Sequence, residues 1–241
     1  MFGDGDGTLV VGGGTIVVPN IQLGFERPAT ALMLHRAGLG GIARDGGRVT
    51  IGAGTPLAEL AGLPDPVASC VAHIADGEVR RQATVGGNLC AANFEAPRGD
   101  LQGVMIALGA HVRSAGKGGE RTEPVEDFLA QRAGRLVLDV AYDEAPGAYA
   151  YLDRQHTHEY TALAVSAVRG ADGIRLAATG AGPHGLRLPS AEAKADDPEA
   201  AGRAALADVQ LADDAVASAW YREQTLPILV RRALEQLREA A

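Results

Sequence analysis

Residues 79–90 read Val-Arg-Arg-Gln-Ala-Thr-Val-Gly-Gly-Asn-Leu-Cys, and the fold is decided in this stretch. Gly86 and Gly87 carry no Cβ, so several backbone N–H groups can converge on one point and form a concavity suited to phosphate oxygens. Thr84 and Asn88 flank them and add side-chain donors, with Val85 between. A second cluster, Gly12-Gly13-Gly14-Thr15, stands behind the run Thr8 to Val11 near the amino terminus. Either cluster alone is equally readable as an ordinary turn. The pair predicts a pyrophosphate held between two loops, its charge offset by amide dipoles with few basic residues. Neither ends in the Gly-Lys-Ser/Thr of a P-loop and neither has Rossmann spacing, so a nucleoside triphosphatase is disfavoured.

Around these loops the apolar pattern changes period along the chain. Thr8 to Val11 and Arg48 to Ala53 have the β-branched or alternating character of strands, with a strand or helix start at Ile16 to Val18. Pro56 to Leu60 and Val67 to Ile74 show helix-like spacing, and Asp100 to Leu108 predicts a short buried helix. Ala110 to Ser114 and Arg135 to Ala141 follow as strands. Ala162 to Arg169 and Ile174 to Thr179 flank Gly170-Ala171-Asp172-Gly173, which predicts a hairpin. Beyond Glu192, the apolar residues Leu226, Leu229, Val230, Ala233, Leu234 and Leu237 form one helical stripe. Pro227 is expected at the start of that helix, with a separate helix over Asp213 to Glu223 before it.

The 241 residues, 46% of them hydrophobic, suffice for one large domain or two small ones. A net charge of -8 argues against a nucleic acid or an anionic membrane as the main partner. Cys70 and Cys90 are the two cysteines, too few for a disulfide scaffold or for an iron–sulfur cluster, which takes about four ligands. No apolar run approaches the ~18 residues of a spanning helix, and the amino terminus lacks the basic and apolar regions of a secretory signal. Cytoplasmic residence is the expectation. His156 and His158 have no further ligand at metal spacing, so no metal site is expected and polar packing is the reading.

The string from Val79 to Cys90, followed by Pro97, Asp100 and an apolar run, resembles the FAD-binding domain of the carbon monoxide dehydrogenase/xanthine dehydrogenase family of molybdopterin-dependent hydroxylases. Members carry a string close to IRNxATIGGNL, then a proline, an aspartate and a buried helix. Gly13 to Thr15, Ile51 to Leu60 (IGAGTPLAEL), Gly134 to Val140 (GRLVLDV) and Trp220 to Leu234 (WYREQTLPILVRRAL) agree in the same order. The resemblance thus covers nearly the whole chain. It implies an α+β protein: a two-subdomain FAD-binding α/β fold of PCMH type in residues 1–145, then a small carboxy-terminal domain of antiparallel sheet plus helices in 146–241. FAD would lie between the subdomains, against Gly12, Gly13, Gly14 and Thr15 on one loop and Thr84, Val85, Gly86, Gly87 and Asn88 on the other. Asp100 would accept a cofactor hydroxyl, with an N-cap as its alternative role, and Leu136 or Val137 would lie near a ring or simply pack in a buried strand.

Some positions depart from the family pattern. Members usually have a further strand and helix before the first glycine loop, so a shortened first subdomain is expected. Ile16 replaces the acidic residue commonly following the loop, and the basic residue usual after the aromatic is missing around Tyr149-Ala150-Tyr151. A cation there would stabilise negative charge on reduced flavin, so an altered potential or weaker FAD binding follows. Cys90 is expected as a small buried residue, with contact to the cofactor as its alternative, and Arg231-Arg232 as a solvated helix face, with a subunit contact as theirs.

The function implied is that of the FAD-binding, electron-transferring subunit of a molybdenum hydroxylase complex. With no nucleophile and base in the chain, no catalytic residue is assigned, and molybdopterin and [2Fe-2S] clusters belong on partner subunits. Electrons would pass from an iron–sulfur subunit, itself fed by a molybdopterin subunit, through FAD to NAD or another acceptor. The alternatives are a free-standing FAD oxidoreductase and a scaffold subunit that has lost FAD.

Overall fold

A computed structural model describes residues 7–91, 99–153 and 161–240 of the chain. His156, His158 and Pro97 lie outside the described residues. The chain opens with strand β1 (Thr8–Val11), helix α1 (Val17–Gln22) and strand β2 (Thr30–Met33). β1 and β2 pair in parallel, Val10 opposite Leu32, with α1 as the crossover. This unit is thin: α1 buries no residue, β2 is exposed along its length, and Val11 is the buried position of β1. Ile16 to Val18, readable as a strand or a helix start, is the latter.

The second unit is a five-stranded antiparallel sheet in the order β3-β4-β7-β5-β6. Its strands are β3 (Ile42–Asp45), β4 (Arg48–Gly52), β5 (His111–Gly116), β6 (Gly119–Pro124) and β7 (Arg135–Asp143). Val49 and Ile51 of β4 point to one side, as the two-residue period requires. Val137 and Val140 of β7, three apart, join the same core because the pairing with β5 slips at Arg113/Ser114 and leaves Leu138 without an opposite residue there. Three short helices close the core on that face, α2 (Val67–Ala72), α4 (Val85–Cys90) and α5 (Leu101–Ala107), while α3 (Gly77–Gln82) buries no residue and lies against the turn Leu57–Gly62. A sixth, α6 (Val125–Ala130), follows β6. Every residue of α5 is buried, and its one polar side chain, Gln102, is tolerated there because its amide is hydrogen-bonded to the Leu89 and Ala91 carbonyls and to Gly185 N.

The third unit is a four-stranded antiparallel sheet, β11-β10-β9-β8. It comprises β8 (Gly147–Asp153), β9 (Thr161–Gly170), β10 (Gly173–Thr179) and β11 (Leu186–Arg187), and the expected β9–β10 hairpin is present with Gly173 opposite Gly170. Alternate residues of β9 serve two cores. Ala164 and Val168 join the core of the second unit, whereas Leu163, Val165 and Ala167 face helix α9 (Ala219–Glu239). Helices α7 (Pro189–Glu192) and α8 (Pro198–Ala204) close the far side.

The carboxy-terminal helices differ from expectation. α9 is continuous over 21 residues with Pro227 in its interior, not at its start. The missing N–H at Pro227 strands a carbonyl at exposed Glu223, where water can serve it. Asp213 to Ser218 is no helix, because its backbone is committed to capping. Asp214 accepts from the amides of Val216 and Ala217 and pairs at 2.7 Å with Arg222, whose guanidinium also reaches the carbonyls of Ala162, Ala212 and Ala217. Arg222 is fully buried, so this set of acceptors is what makes its burial tolerable. Arg231 is half-exposed, with only long ion contacts to Glu199 and Glu235 among the described residues, and Arg232 is exposed.

Candidate functional site

The first glycine loop joins β1 to α1. Gly14 adopts φ +76, a conformation glycine enters freely. A Cβ on Gly13 would lie 1.9 Å from the Gln82 carbonyl oxygen, and one on Gly12 would lie 2.7 Å from Thr84 Oγ1. The glycines are therefore required by contact with the second loop, and the two loops meet. Among the described residues, the amides of Gly13, Gly14, Thr15 and Ile16 donate to no protein acceptor. These four residues all line one cleft.

The second loop is built differently. Asp76 caps α3 by accepting from Val79 N, and α3 delivers the chain to Thr84, which caps α4 by accepting from Gly87 N. Val85 N donates to Thr55 O at 3.0 Å, Gly86 N to Ala53 O at 2.8 Å and Asn88 N to Thr84 O at 2.9 Å. The amides of this loop are thus taken up by the chain itself, unlike the presentation of N–H groups expected of both loops. Gly86 is needed for a different reason: a Cβ there would stand 2.9 Å from that of Ala53.

Between the loops runs a cleft of about 610 Å³, within the range of about 300–1,000 Å³ usual for small-molecule sites. Gly12, Gly13, Gly14 and Thr15 line one side. Thr84, Gly86, Gly87 and Asn88 line the other, with Asp100 and Leu136 further along. Val85 is not among them, because its side chain is fully buried in the core. Asp100 is 5% exposed, occupies the N-cap position of α5 without a side-chain cap hydrogen bond, and lines the cleft. Asn88 Oδ1 accepts from Leu101 N, which fixes α4 against α5.

Several wall residues escaped the sequence reading. Ile74, Ala75 and Val79 supply an apolar patch, and Thr161 reaches the cleft from β9. Arg132 and Arg135 stand at the Leu136 end, Arg135 held by Ser114 Oγ and the Ser114 carbonyl. A polar residue bordering an apolar run was the only available signal for these arginines. Cys90 is exposed on the cleft wall, not buried as expected for a small residue. Desolvation in the recess pushes its thiol up to about 11, with Arg132 pulling the other way. Cys70 lies in the core, where burial first and then the charge of Asp100 hold its thiol well above the ordinary value. Tyr149 is buried, the Tyr151 ring lies tilted against His73 with centroids 3.6 Å apart, and neither tyrosine lines the cleft. Among the described residues no group of three or more His, Cys, Asp or Glu is placed to hold a metal ion, and no helix is long and apolar enough to cross a membrane.

Residues 1–141 match the family described as FAD binding domain in molybdopterin dehydrogenase. The chain is 27% identical over 260 residues to the 6-hydroxypseudooxynicotine dehydrogenase complex subunit alpha of Paenarthrobacter nicotinovorans, covering 95% of this chain and 86% of that one. It is likewise 27% identical over 259 residues to the carbon monoxide dehydrogenase medium chain of Hydrogenophaga pseudoflava, covering 95% and 89%. Among solved structures, a chain of the Hydrogenophaga pseudoflava carbon monoxide dehydrogenase that lacks the Mo-pyranopterin moiety superposes with a TM-score of 0.85 at 26% identity, covering 98% of this chain and 91% of that one. A chain of quinoline 2-oxidoreductase from Pseudomonas putida 86 superposes with a TM-score of 0.80 at 18% identity, covering 98% and 92%, and speaks to the fold alone.

Proposed function

We infer, from the premise that this chain belongs to the family of FAD binding domains in molybdopterin dehydrogenases, that its cleft holds FAD and passes electrons between partner-bound centres and an external acceptor. The observation that carries the inference is the row of open amides from Gly13 to Ile16, facing a cleft whose opposite wall is the second glycine loop. The residues fit the group. Gly12 and Gly13 leave no room for side chains, and the free N–H groups suit diphosphate oxygens at low cost in basic residues.

Bound FAD supplies reversible electron acceptance, and the rest falls to this chain's residues. Gly13, Gly14 and Thr15 would donate to the diphosphate, while Gly12, Gly86 and Gly87 would let it approach the second loop closely. Thr84 and Asn88 would hold that loop rigid through Gly87 N and Leu101 N. Asp100 would accept from a cofactor hydroxyl, and Leu136 would cover a ring face. Residues 1–145 form the FAD-binding part in this reading and 146–241 the carboxy-terminal part.

With two cysteines, only one of them on the cleft, the chain cannot itself hold an iron–sulfur cluster. Electrons would therefore come from clusters on a second subunit, fed by molybdopterin on a third, and leave to NAD or another acceptor. The medium chain of carbon monoxide dehydrogenase is named as one chain of such an enzyme, which supports a hetero-oligomer here. We place that complex in the cytoplasm. Titration of the purified chain with FAD tests the reading directly. Stoichiometric uptake with quenched flavin fluorescence is expected, and a folded sample that takes up none at micromolar FAD would sink it.

A further inference from the structure

Ala75 is the one non-glycine residue at positive φ among the described residues, with φ +44, and it sits on the cleft wall between Ile74 and the helix-capping Asp76. A left-handed alanine is strained because its Cβ crowds the backbone, and such a residue persists only where the surroundings hold it. What holds it is visible. The guanidinium of Arg80, one turn into α3, donates through Nη1 to the carbonyls of Ala75 at 2.5 Å, Ile74 at 2.9 Å and Ala72 at 3.3 Å. A cation gathers the free carbonyls at the end of α2, where a positive charge is favoured by the helix dipole.

We propose that Arg80 is a positioning residue for FAD: it pins the strained Ile74–Ala75 turn so that Ile74, Ala75 and Val79 present a fixed apolar wall to a ring system of the cofactor. The role rests on the FAD reading of the cleft and deepens it. Arg80 itself is absent from the cleft lining, so it acts through the turn and not by contact. Without the guanidinium, Ala75 relaxes toward negative φ and carries Ile74 with it, since the two share one peptide plane. Glycine at position 75 has no such preference, and a turn containing it keeps its shape without the clamp.

The test is FAD titration by calorimetry, with the visible circular dichroism of the bound flavin, on the full chain and four variants. Arg80→Ala is expected to raise the FAD dissociation constant about tenfold or more and to alter the flavin dichroism, with Arg80→Lys recovering part of both. Ala75→Gly alone should weaken FAD binding a few-fold at most, through the methyl lost from the wall, and keep the parental dichroism, because glycine adopts the same φ without strain. Arg80→Ala combined with Ala75→Gly should regain most of the affinity and the parental dichroism, a recovery that a merely stabilising arginine would not show. The proposal is overturned if Arg80→Ala lowers the melting temperature with affinity and dichroism unchanged, or if Ala75→Gly fails to rescue. Should Arg80→Ala not fold, Arg80→Lys and the double variant carry the same comparison. If the parent chain itself takes up no FAD, the reading of the cleft falls first and this proposal with it.

Discussion

Around Gly13 the backbone amides are left open toward the cleft, while around Gly86 each is taken up by Ala53, Thr55 or Thr84. The surroundings differ in the same sense. The first loop hangs on a two-stranded sheet whose helix buries nothing, with Val18, Leu23, Phe25 and Met33 all exposed. The second is wedged into a core built from Val85, Leu89, Leu101 and Met105, each fully buried. One loop is finished by the fold, and the other, in the proposed reading, is completed by FAD. A segment with few buried contacts opens at low free energy, so the first unit is where ligand binding should register.

The sharpest way to break this contrast is Gly13→Val. Its Cβ would fall on the Gln82 carbonyl, so the loops must part, and FAD affinity is expected to drop at least about 100-fold by calorimetry. Retained affinity would mean that the grip lies elsewhere. Next in size is the effect of the ligand on the parent chain. FAD at about 100 times its dissociation constant should stabilise the native state by about 2.7 kcal/mol. In hydrogen exchange, the added protection should concentrate in residues 8–34, with 85–108 little changed. Equal gains in both would erase the distinction drawn between them.

A smaller effect separates the two threonines. Thr84→Val removes the cap of α4 and should cost about 1 kcal/mol of stability in denaturant unfolding, with or without FAD. Thr15→Val should leave the apoprotein's stability unchanged and weaken FAD binding a few-fold, since Thr15 caps nothing. The smallest signal is chemical. Cys90, on the cleft wall with a thiol raised to about 11, should alkylate slowly near neutrality, accelerate about tenfold per pH unit below that value and be shielded by FAD. Cys70, buried in the core, should stay silent under native conditions.

Much of this was legible in the residues. The alternation of Arg48 to Ala53 and of Arg135 to Ala141 marks strands because one face is buried, and Gly170 to Gly173 marks its hairpin through turn chemistry alone. The two glycine loops stood out because there are two of them, since either run alone reads equally well as a turn. The fate of their amides was not, since Gly86 N is satisfied by Ala53 and Val85 N by Thr55, partners far upstream that no local pattern names. Arg80 and Arg132 were illegible for the same reason: an arginine's acceptors are carbonyls, which every residue carries. The helix expected over Asp213 to Glu223 failed because Asp214 serves the backbone of Val216 and Ala217 and the buried Arg222 at once.

Gln102 has no exposed surface and ties three parts of the chain together. Its Nε2 donates to the Leu89 and Ala91 carbonyls behind the second glycine loop, and its Oε1 accepts from Gly185 beyond β10. Beside it, Gly103 N donates to Thr179 Oγ1 at the end of β10, and a Cβ on Gly103 would collide with that hydroxyl. Inheritance is constrained as a result. A crossover between related genes at the polar stretch near Pro146 would bring together an α5 and a hairpin that had not drifted in step, leaving mismatched donors in a dry seam. Halves of this chain should therefore be exchangeable only as matched pairs, and chimeras joined there should be rescued by transplanting Gln102, Gly103, Thr179 and Gly185 as a set.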